Sequence, residues 1–573
     1  MHMLDTAVSS IFHPGINLKG HVAGSNWSFI LPEMRLERII CFGAPSLRTQ
    51  ETISRLGDEV VFVTEGSSSP NFQPENGDHQ VGFIDWKPNV NSLPDGLQNH
   101  EANLIIIFGR RMVRRISANP GLQIALLQLL SPRGLIFLEL DRLIERLITQ
   151  KQARQLAHNL GKCQFLWSSP FWGEINTAVP ADDQVTISYF IRHHLYLPES
   201  RTNILSRARR FGLELLIKYK FTSRQSMLVS QQQDLEMRDP PEYLCALAGE
   251  AGINIRHHRW GLVAHGEYSS RKVLFYLFNS NQESPEYIVK LVRTCQYNAR
   301  LENEYRALSF LWEKGLGELN FLPKPLFFGY HNRLAIFGET AIAGRSFRKM
   351  AMDQPDCPHA RLAVQHITDL GTLTSMPDAI STQLAAETLM QLFETFVRIY
   401  QPNFEIQSFL EKQISSIASF QGVFPLVFQH GDPGVWNILV TPKDEVFFLD
   451  WEAAESHGIP LWDLWYFLRS YAVGLARASG VHDAMKGFEQ QFLSGNPFTH
   501  FALDVLHTYC EQLALPAELV EPLFYTCWMH RALKEANRLK KTQLYKSHYY
   551  QLLVFCIQNR GNPQMASLLS VGS

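Results

Sequence analysis

His430-Gly431-Asp432-Pro433-Gly434-Val435-Trp436-Asn437 is followed by an apolar run at 438–440, a polar turn at 441–445, and a second apolar run that ends in Asp450. Two short apolar runs joined by Thr441-Pro442-Lys443-Asp444-Glu445 predict a β-hairpin. Opposing Val440 with Phe447 would set Asn437 opposite Asp450, with Cα atoms about 4.5–5.5 Å apart. Asp432 would then lie at the same open end, on a tight Gly/Pro loop. A carboxamide beside a carboxylate supplies hard oxygen donors suited to Mg²⁺, and a second carboxylate nearby can orient a hydroxyl. Phosphoryl transfer needs that equipment: a metal to bridge nucleotide phosphates, and a separate acid to take or position the acceptor's proton. The competing reading is a buried hairpin whose acids cap turns.

The pattern His-Gly-Asp, four residues, Asn, then an apolar strand ending in Asp resembles the aminoglycoside phosphotransferase and choline kinase group of kinase-like enzymes. The resemblance implies Asp432 as catalytic base, Asn437 and Asp450 as metal ligands, and His430 as a loop-ordering residue. It also matches Asp463, at the start of the helix-like run 461–468, to a structural aspartate that orders the loop.

Such a loop needs a nucleotide-holding sheet upstream. Residues 273–278 and 287–292 read as strands, and the second carries Lys290, a cation that is costly to bury without an anionic partner. Residues 299–312 have a helical apolar stripe that offers Glu302 and Glu304. The resemblance selects Glu304, within Glu304-Tyr305-Arg306-Ala307-Leu308, as the partner of Lys290 and the phosphates. Gly261 and Gly266 could let backbone amides lie over phosphates, although an ordinary hairpin turn fits the same residues. Residues 334–344 resemble the family's hinge, where backbone groups around Glu339 and Ala341 would read the adenine edge; a plain strand and glycine turn fit the local sequence equally well. Helical spacing dominates 384–400, 406–417, 500–513, 521–539 and 543–557. Three features here are open: Trp436 in the loop, Glu452 beyond Asp450, and the basic cluster Lys534, Arg538, Lys540 and Lys541.

The first 225 residues read differently. Apolar strands at 38–43, 60–63, 104–108 and 134–138 alternate with helical patterns at 50–56 and 120–130, which predicts a doubly wound parallel sheet. A strand at 185–191 and a helix at 204–219 would close it. The order resembles a class I S-adenosylmethionine-dependent methyltransferase, with Gly43 as the first glycine of the cofactor turn and Glu65 as the ribose acid. Cys41 replaces that family's acid in the first strand, and Pro45 and Leu47 stand where later glycines belong. Side chains there obstruct the close backbone approach that glycine permits, so the domain reads as degenerate and without methyltransferase activity.

The expected organisation is an arm at 1–30, a Rossmann-like α/β domain at 31–225, a linker at 226–241, and an α+β bilobal kinase-like domain with lobes at 242–345 and 346–573. Net charge of −2 in 573 residues gives no general nucleic-acid or anionic-membrane surface. Eight scattered cysteines without a CxxC pair read as reduced thiols rather than a disulfide or zinc framework. With no leader pattern and no spanning apolar run, a cytoplasmic protein is expected. The resulting expectation is a phosphotransferase using ATP and Mg²⁺ on a small-molecule hydroxyl. The alternatives are a bifunctional methyltransferase and kinase acting on one metabolite, or a non-enzymatic nucleotide-binding scaffold.

Overall fold

The structure, a computed structural model, describes residues 26–570 apart from 32, 34–35, 44–46, 66–79, 88–91, 98–100, 140–154, 157–158, 170–176, 194–223, 231–238, 265–271, 351–353 and 378. The chain forms two compact units. One holds Gly20–Leu301 and Pro325–Ala341; the described part of the other lies in Glu302–Lys324 and Ile342–Ser573. No described helix is long and apolar enough to cross a membrane.

A 13-stranded sheet runs through the first unit. Its parallel part orders β3 (Gln80–Asp85), β2 (Gly57–Thr64), β1 (Leu36–Phe42), β4 (Ala102–Phe108) and β5 (Leu130–Glu139) as β3-β2-β1-β4-β5. Strands buried on both faces must be apolar at every position, because successive side chains point to opposite sides. Ile39, Cys41 and Phe62 accordingly enter one core. Ile40, Phe42 and Val61 enter the other. This is the Rossmann-like α/β sheet expected from the sequence.

Next to β5 stands β8 (Arg224–Ser230), antiparallel to both β5 and β6 (Lys162–Ser169). β7 (Thr177–Pro180) pairs β6 on one side and β9 (Arg259–Val263) on the other. From there the sheet continues as an antiparallel meander, β9-β10-β11-β13-β12, with β10 (Val273–Phe278), β11 (Tyr287–Leu291), β12 (Pro325–His331) and β13 (Leu334–Thr340). One core therefore extends from Ile39 to Trp260, Phe275, Val289 and Ile336. Residues 226–230, included in the expected linker at 226–241, form most of β8. Asn26–Ile30 is a short 3₁₀ turn whose Phe29 carbonyl accepts the Tyr243 hydroxyl at 2.6 Å.

The sequence expectation fails at 185–191, which is helix (Gln184–His193) rather than strand. Its β-branched residues suggest a strand, but Thr186, Ile187, Phe190 and Ile191 recur at helical spacing and are buried together. Asp183 begins the helix by accepting the Thr186 N–H at 3.0 Å, an N-cap bond. The helix expected at 204–219 lies outside the described residues.

The second unit is mostly helical. Its long helices are Pro358–Thr374, Ala379–Tyr400, Phe404–Ala418, Trp462–Ala478, Pro497–Gln512 and Val520–Ala536. The segment expected as one helix at 543–557 is a 3₁₀ stretch, Lys541–Lys546, then a helix His548–Gln558 that Ser547 caps through the Tyr550 N–H at 3.3 Å. Two small sheets complete the unit. β14 (Arg345–Ser346), β17 (Ile438–Val440) and β18 (Val446–Phe448) form one; β15 (Met376–Pro377), β16 (Pro425–Gln429) and β19 (Glu455–Gly458) form the other. The antiparallel sheet and the helical part expected of a kinase-like region are thus both present.

The hairpin β17–β18 forms, but its register differs by one residue from the sequence reading. Val440 pairs Val446, which puts Asn437 opposite Leu449 rather than Asp450, and the Leu449 N–H donates to the Asn437 carbonyl at 2.8 Å. The cause is the turn. Asp444 adopts φ +63 after a turn closed by the Asp444 N–H and the Thr441 carbonyl, a three-residue loop with a left-handed third position.

Candidate active site

Strand β16 ends at Gln429, and the chain then makes a tight loop into β17. Asp463, in the first turn of Trp462–Ala478, holds the start of that loop. Its Oδ2 accepts the His430 N–H at 2.6 Å, and its Oδ1 accepts the Gly431 N–H at 3.1 Å. Burial pushes the Asp463 carboxyl up to about 6, against the opposing pull of Arg531. Two amide donors answer the carboxylate's buried oxygens, as a buried charge requires. Gly431 has φ +77, and a Cβ there would lie 1.9 Å from the Ala453 carbonyl oxygen, so only glycine fits the approach.

His430 is the loop's second tether. Nε2 donates to the Leu449 carbonyl at 3.0 Å, and Nδ1 accepts the Asp432 N–H at 3.2 Å. Burial lowers its pKa, and the charges of Asp432 and Asp450 oppose that shift. A neutral ring with its proton on Nε2 satisfies both bonds. The imidazole thus links the loop at Asp432 to the residue that follows β18, Leu449.

Asn437 is oriented by its own bonds. Nδ2 donates to the Asp432 carbonyl at 2.9 Å and to Asp432 Oδ2 at 3.2 Å. The carboxamide oxygen is thereby turned away from Asp432, where it can serve as a hard ligand. Asp450 follows Leu449 with φ 68 and ψ 61. A non-glycine residue in that region is strained by about 1–2 kcal/mol. Asp450 thus directly follows Leu449, the residue opposite Asn437 at the end of the hairpin. Among the described residues no cluster of three His, Cys, Asp or Glu could hold a metal. One carboxamide with one carboxylate is instead the sparse set that Mg²⁺ uses when phosphates and water fill its remaining positions.

The segment after Asp450 is held by the helix Asn298–Glu313. Glu304, fully buried, accepts the Trp451 N–H at 3.3 Å. Asn303 Nδ2 donates to the carbonyls of Glu452 and Ala454 at 3.1 and 2.9 Å. Ser470 Oγ accepts the Val435 N–H at 3.2 Å, one face of the Trp462–Ala478 helix thus serving both ends of the loop. Neither Asn303 nor Ser470 is singled out by sequence reasoning, since both act through backbone groups.

In the sheet unit, Lys290 Nζ lies 2.7 Å from Glu339 Oε1, and both side chains are buried. The Ala341 N–H, expected to face a base, donates to the Glu286 carbonyl at 2.9 Å. Gly261 lies in β9 with its missing side chain under Phe190, where a Cβ would sit 2.4 Å from the ring; Gly266 lies outside the described residues.

The two cofactor candidates in the parallel sheet have other occupations. Glu65 Oε1 pairs Arg115 Nη1 at 2.8 Å, and the same guanidinium stacks 3.5 Å from the Trp86 ring centroid. Gly43, at φ +109, passes the Phe108 carbonyl so closely that a Cβ would stand 2.5 Å from its oxygen. Pro45 lies outside the described residues.

Three residues beside the loop were not read as one group in the sequence. Arg531 stacks on Tyr466 with Cζ 3.3 Å from the ring centroid, and its Nη2 is 3.9 Å from Asp432 Oδ1. Trp436 is 39% exposed, meets Tyr466 edge-on at 5.9 Å, and lays its indole against Gly434 of the loop, where a Cβ would stand 2.4 Å from the ring. Lys534, grouped by sequence with a basic face, pairs Glu455 at 2.8 Å.

Residues 264–493 match the family described as the phosphotransferase enzyme family. That match bears out the resemblance of the C-terminal part and its assignment as a small-molecule kinase region. No curated protein matches the chain. Among solved structures it is similar to an aminoglycoside phosphotransferase from Streptomyces rimosus ATCC10970 in complex with ADP and streptomycin, at 14% identity, covering 46% of this chain and 90% of that one with TM-score 0.28. It is also similar to the bifunctional kinase-methyltransferase WbdD, at 14% identity over 97% of this chain and 99% of that one, TM-score 0.26. A third is an aminoglycoside-3'-phosphotransferase of type VIII, at 19% identity over 47% and 94% of the two chains, TM-score 0.25. At such TM-scores the function rests on the residues and the family match.

Proposed function

We propose that the chain is an ATP- and Mg²⁺-dependent phosphotransferase that moves the γ-phosphoryl group to a hydroxyl of a small molecule. The observation that carries the reading is Asp432: its backbone and Oδ2 are fixed by His430 and Asn437, while the buried Oδ1 has no hydrogen-bond partner. An unsatisfied buried carboxylate oxygen costs free energy and is retained where function uses it. Asp432 takes the proton of the acceptor hydroxyl as the acceptor oxygen bonds to the γ-phosphorus. The bond from that phosphorus to the β–γ bridging oxygen breaks, and ADP leaves.

Asn437 Oδ1 and Asp450 would hold Mg²⁺, which neutralises phosphate charge when bound. Lys290 and Glu304 serve the nucleotide phosphates, and backbone groups near Glu339 read the base. Gly261 is left out because its close neighbour is Phe190, and the Ala341 amide because Glu286 already accepts it. His430 and Asp463 order the loop. The residues at the S-adenosylmethionine candidates do not fit that cofactor: Glu65 is neutralised by Arg115, and Gly43 is required by Phe108. No methyl transfer is proposed.

The test is transfer of label from γ-labelled ATP to a panel of hydroxyl compounds by the full chain. Magnesium-dependent transfer to at least one class is expected. Failure to bind Mg-ATP, with no transfer to any compound, would remove the assignment.

A further inference from the structure

Arg531 is the one residue near Asp432 whose situation the proposed reaction leaves unexplained. It sits in a buried stretch of Val520–Ala536 and is only 8% exposed. A guanidinium carries five N–H donors and cannot discharge itself by losing a proton. Buried Arg is ordinarily matched by carboxylates or carbonyls. Among the described residues Arg531 makes no hydrogen bond; it exerts its charge on the Asp463 carboxyl, and its nearest partners are the Tyr466 face and Asp432 Oδ1 at 3.9 Å. That approach is beyond hydrogen-bond reach.

An unsatisfied buried acceptor, Asp432 Oδ1, therefore faces a cationic donor edge, Arg531 Nη2, across a gap of 3.9 Å. Simple collapse of the gap is opposed on both sides. The guanidinium is stacked on Tyr466, whose hydroxyl is engaged by the Tyr549 hydroxyl at 3.1 Å, and the Tyr549 N–H donates to Glu535 Oε2 at 3.0 Å. On the other side Oδ2 is held by Asn437. The neighbouring cation Lys534 is already committed to Glu455. An oxygen at hydrogen-bond lengths of about 2.8 Å from both atoms spans the 3.9 Å gap at an angle of ~90°, which suits an sp³ hydroxyl oxygen that gives one hydrogen bond and accepts another.

We infer that Arg531 and Asp432 together form the seat of the acceptor hydroxyl, with Asp432 Oδ1 accepting its proton and Arg531 Nη2 donating to its oxygen. The inference rests on the phosphotransferase reading and adds a residue to it. Arg531 fixes the oxygen's position and stabilises the charge that develops there as the proton leaves, the task of a preorganised donor. Any hydroxyl that enters this seat, water included, is held the same way.

Water makes the test independent of the acceptor's identity. Hydrolysis of γ-labelled Mg-ATP is followed with the full chain in excess over nucleotide, and Mg-ADP affinity is measured by calorimetry on the same samples. Arg531→Ala should slow hydrolysis about 100-fold, the usual effect of deleting one such donor, with Mg-ADP affinity changed less than about threefold. Added methylguanidine should restore part of the rate, which a purely structural role would not permit. Arg531→Lys keeps the charge and stem and guards against misfolding of the alanine variant. It should still lose about tenfold, because an ammonium cannot lie on Tyr466 and present a planar N–H edge to the same point. Wild-type hydrolysis rates in both variants, or a loss that methylguanidine leaves unchanged in a folded Arg531→Ala, would overturn the inference. Asp432→Ala is the control: normal hydrolysis by it takes the phosphotransferase reading and the seat down together, whereas a wild type that transfers label to hydroxyl compounds but never to water overturns the seat alone.

Discussion

Replacing Asp463 with Asn separates what the loop tether does for stability from what it does for turnover. In the native protein two oxygens of one buried carboxylate accept the amides of His430 and Gly431 at 2.6 and 3.1 Å. Asn offers one acceptor oxygen, so one buried N–H is left facing an NH₂ group, at a cost of about 1–3 kcal/mol, and the surviving bond loses its charge assistance, about 1 kcal/mol more. Against this, burial has pushed the Asp463 carboxyl up to about 6. That corresponds to roughly 3 kcal/mol against the ionised form, and Asn is spared it. The terms nearly cancel at neutral pH, and Asp463→Asn should unfold within about 2 kcal/mol of wild type. Turnover has no such compensation. A loop that shifts by about 1 Å at Asp432 should cost on the order of 100-fold in phosphotransfer. The pH dependence has a definite sign. A carboxyl whose folded pKa is raised contributes stability that is fully present below about pH 4 and lost as pH rises through about 6. The wild type should therefore lose about 1 kcal/mol relative to the variant between pH 5 and pH 7, read by urea unfolding at the two pH values. A stability difference independent of pH, or wild-type phosphotransfer in the variant, would refute this account of Asp463.

Gly431→Ala places a Cβ 1.9 Å from the Ala453 carbonyl oxygen at φ +77, and urea unfolding should show a loss of about 2 kcal/mol or more, together with loss of transfer. Asn437→Ala removes a metal-facing oxygen and the bonds to Asp432; the Mg²⁺ concentration for half-maximal transfer should rise at least about tenfold, and an unchanged Mg²⁺ dependence would take Asn437 out of the metal site. Lys290→Met removes the cation 2.7 Å from the buried Glu339 carboxylate, with an expected loss of about 3–5 kcal/mol that Lys290→Met/Glu339→Gln should largely recover in the same unfolding assay. Calorimetry with S-adenosylmethionine should show no binding, in line with the pairing of Glu65 with Arg115.

What the sequence made legible, and what it hid, divides along physical lines. Strands β1, β2 and β4 were readable because burial on both faces demands unbroken apolar runs. The spacing of His430, Asp432, Asn437 and Asp450 was readable because side chains with chemistry are visible as letters. The hairpin register was not, since it hangs on one left-handed residue, Asp444, that also suits an ordinary turn position. The helix Gln184–His193 was hidden by β-branched residues whose strand preference yields to an N-cap and a shared buried face. Arg531 was passed over because a single cation in an apolar helix looks like a solvated edge until its neighbours are known; the apolar run 519–533 around it is the signal that could have raised the question. The continuity of the sheet from β7 into β9 was equally hidden, because strand pairing across 79 residues leaves no local trace (Pro180 to Arg259).

The central claim is that Asp432 handles the acceptor's proton in a site that binds Mg-ATP without it. The direct measurement compares wild type and Asp432→Asn for transfer of γ-labelled phosphate at saturating Mg-ATP, with nucleotide affinity determined on the same samples. Transfer should fall about 1000-fold or more while affinity stays within about threefold. Undiminished transfer by the folded variant would contradict the claim.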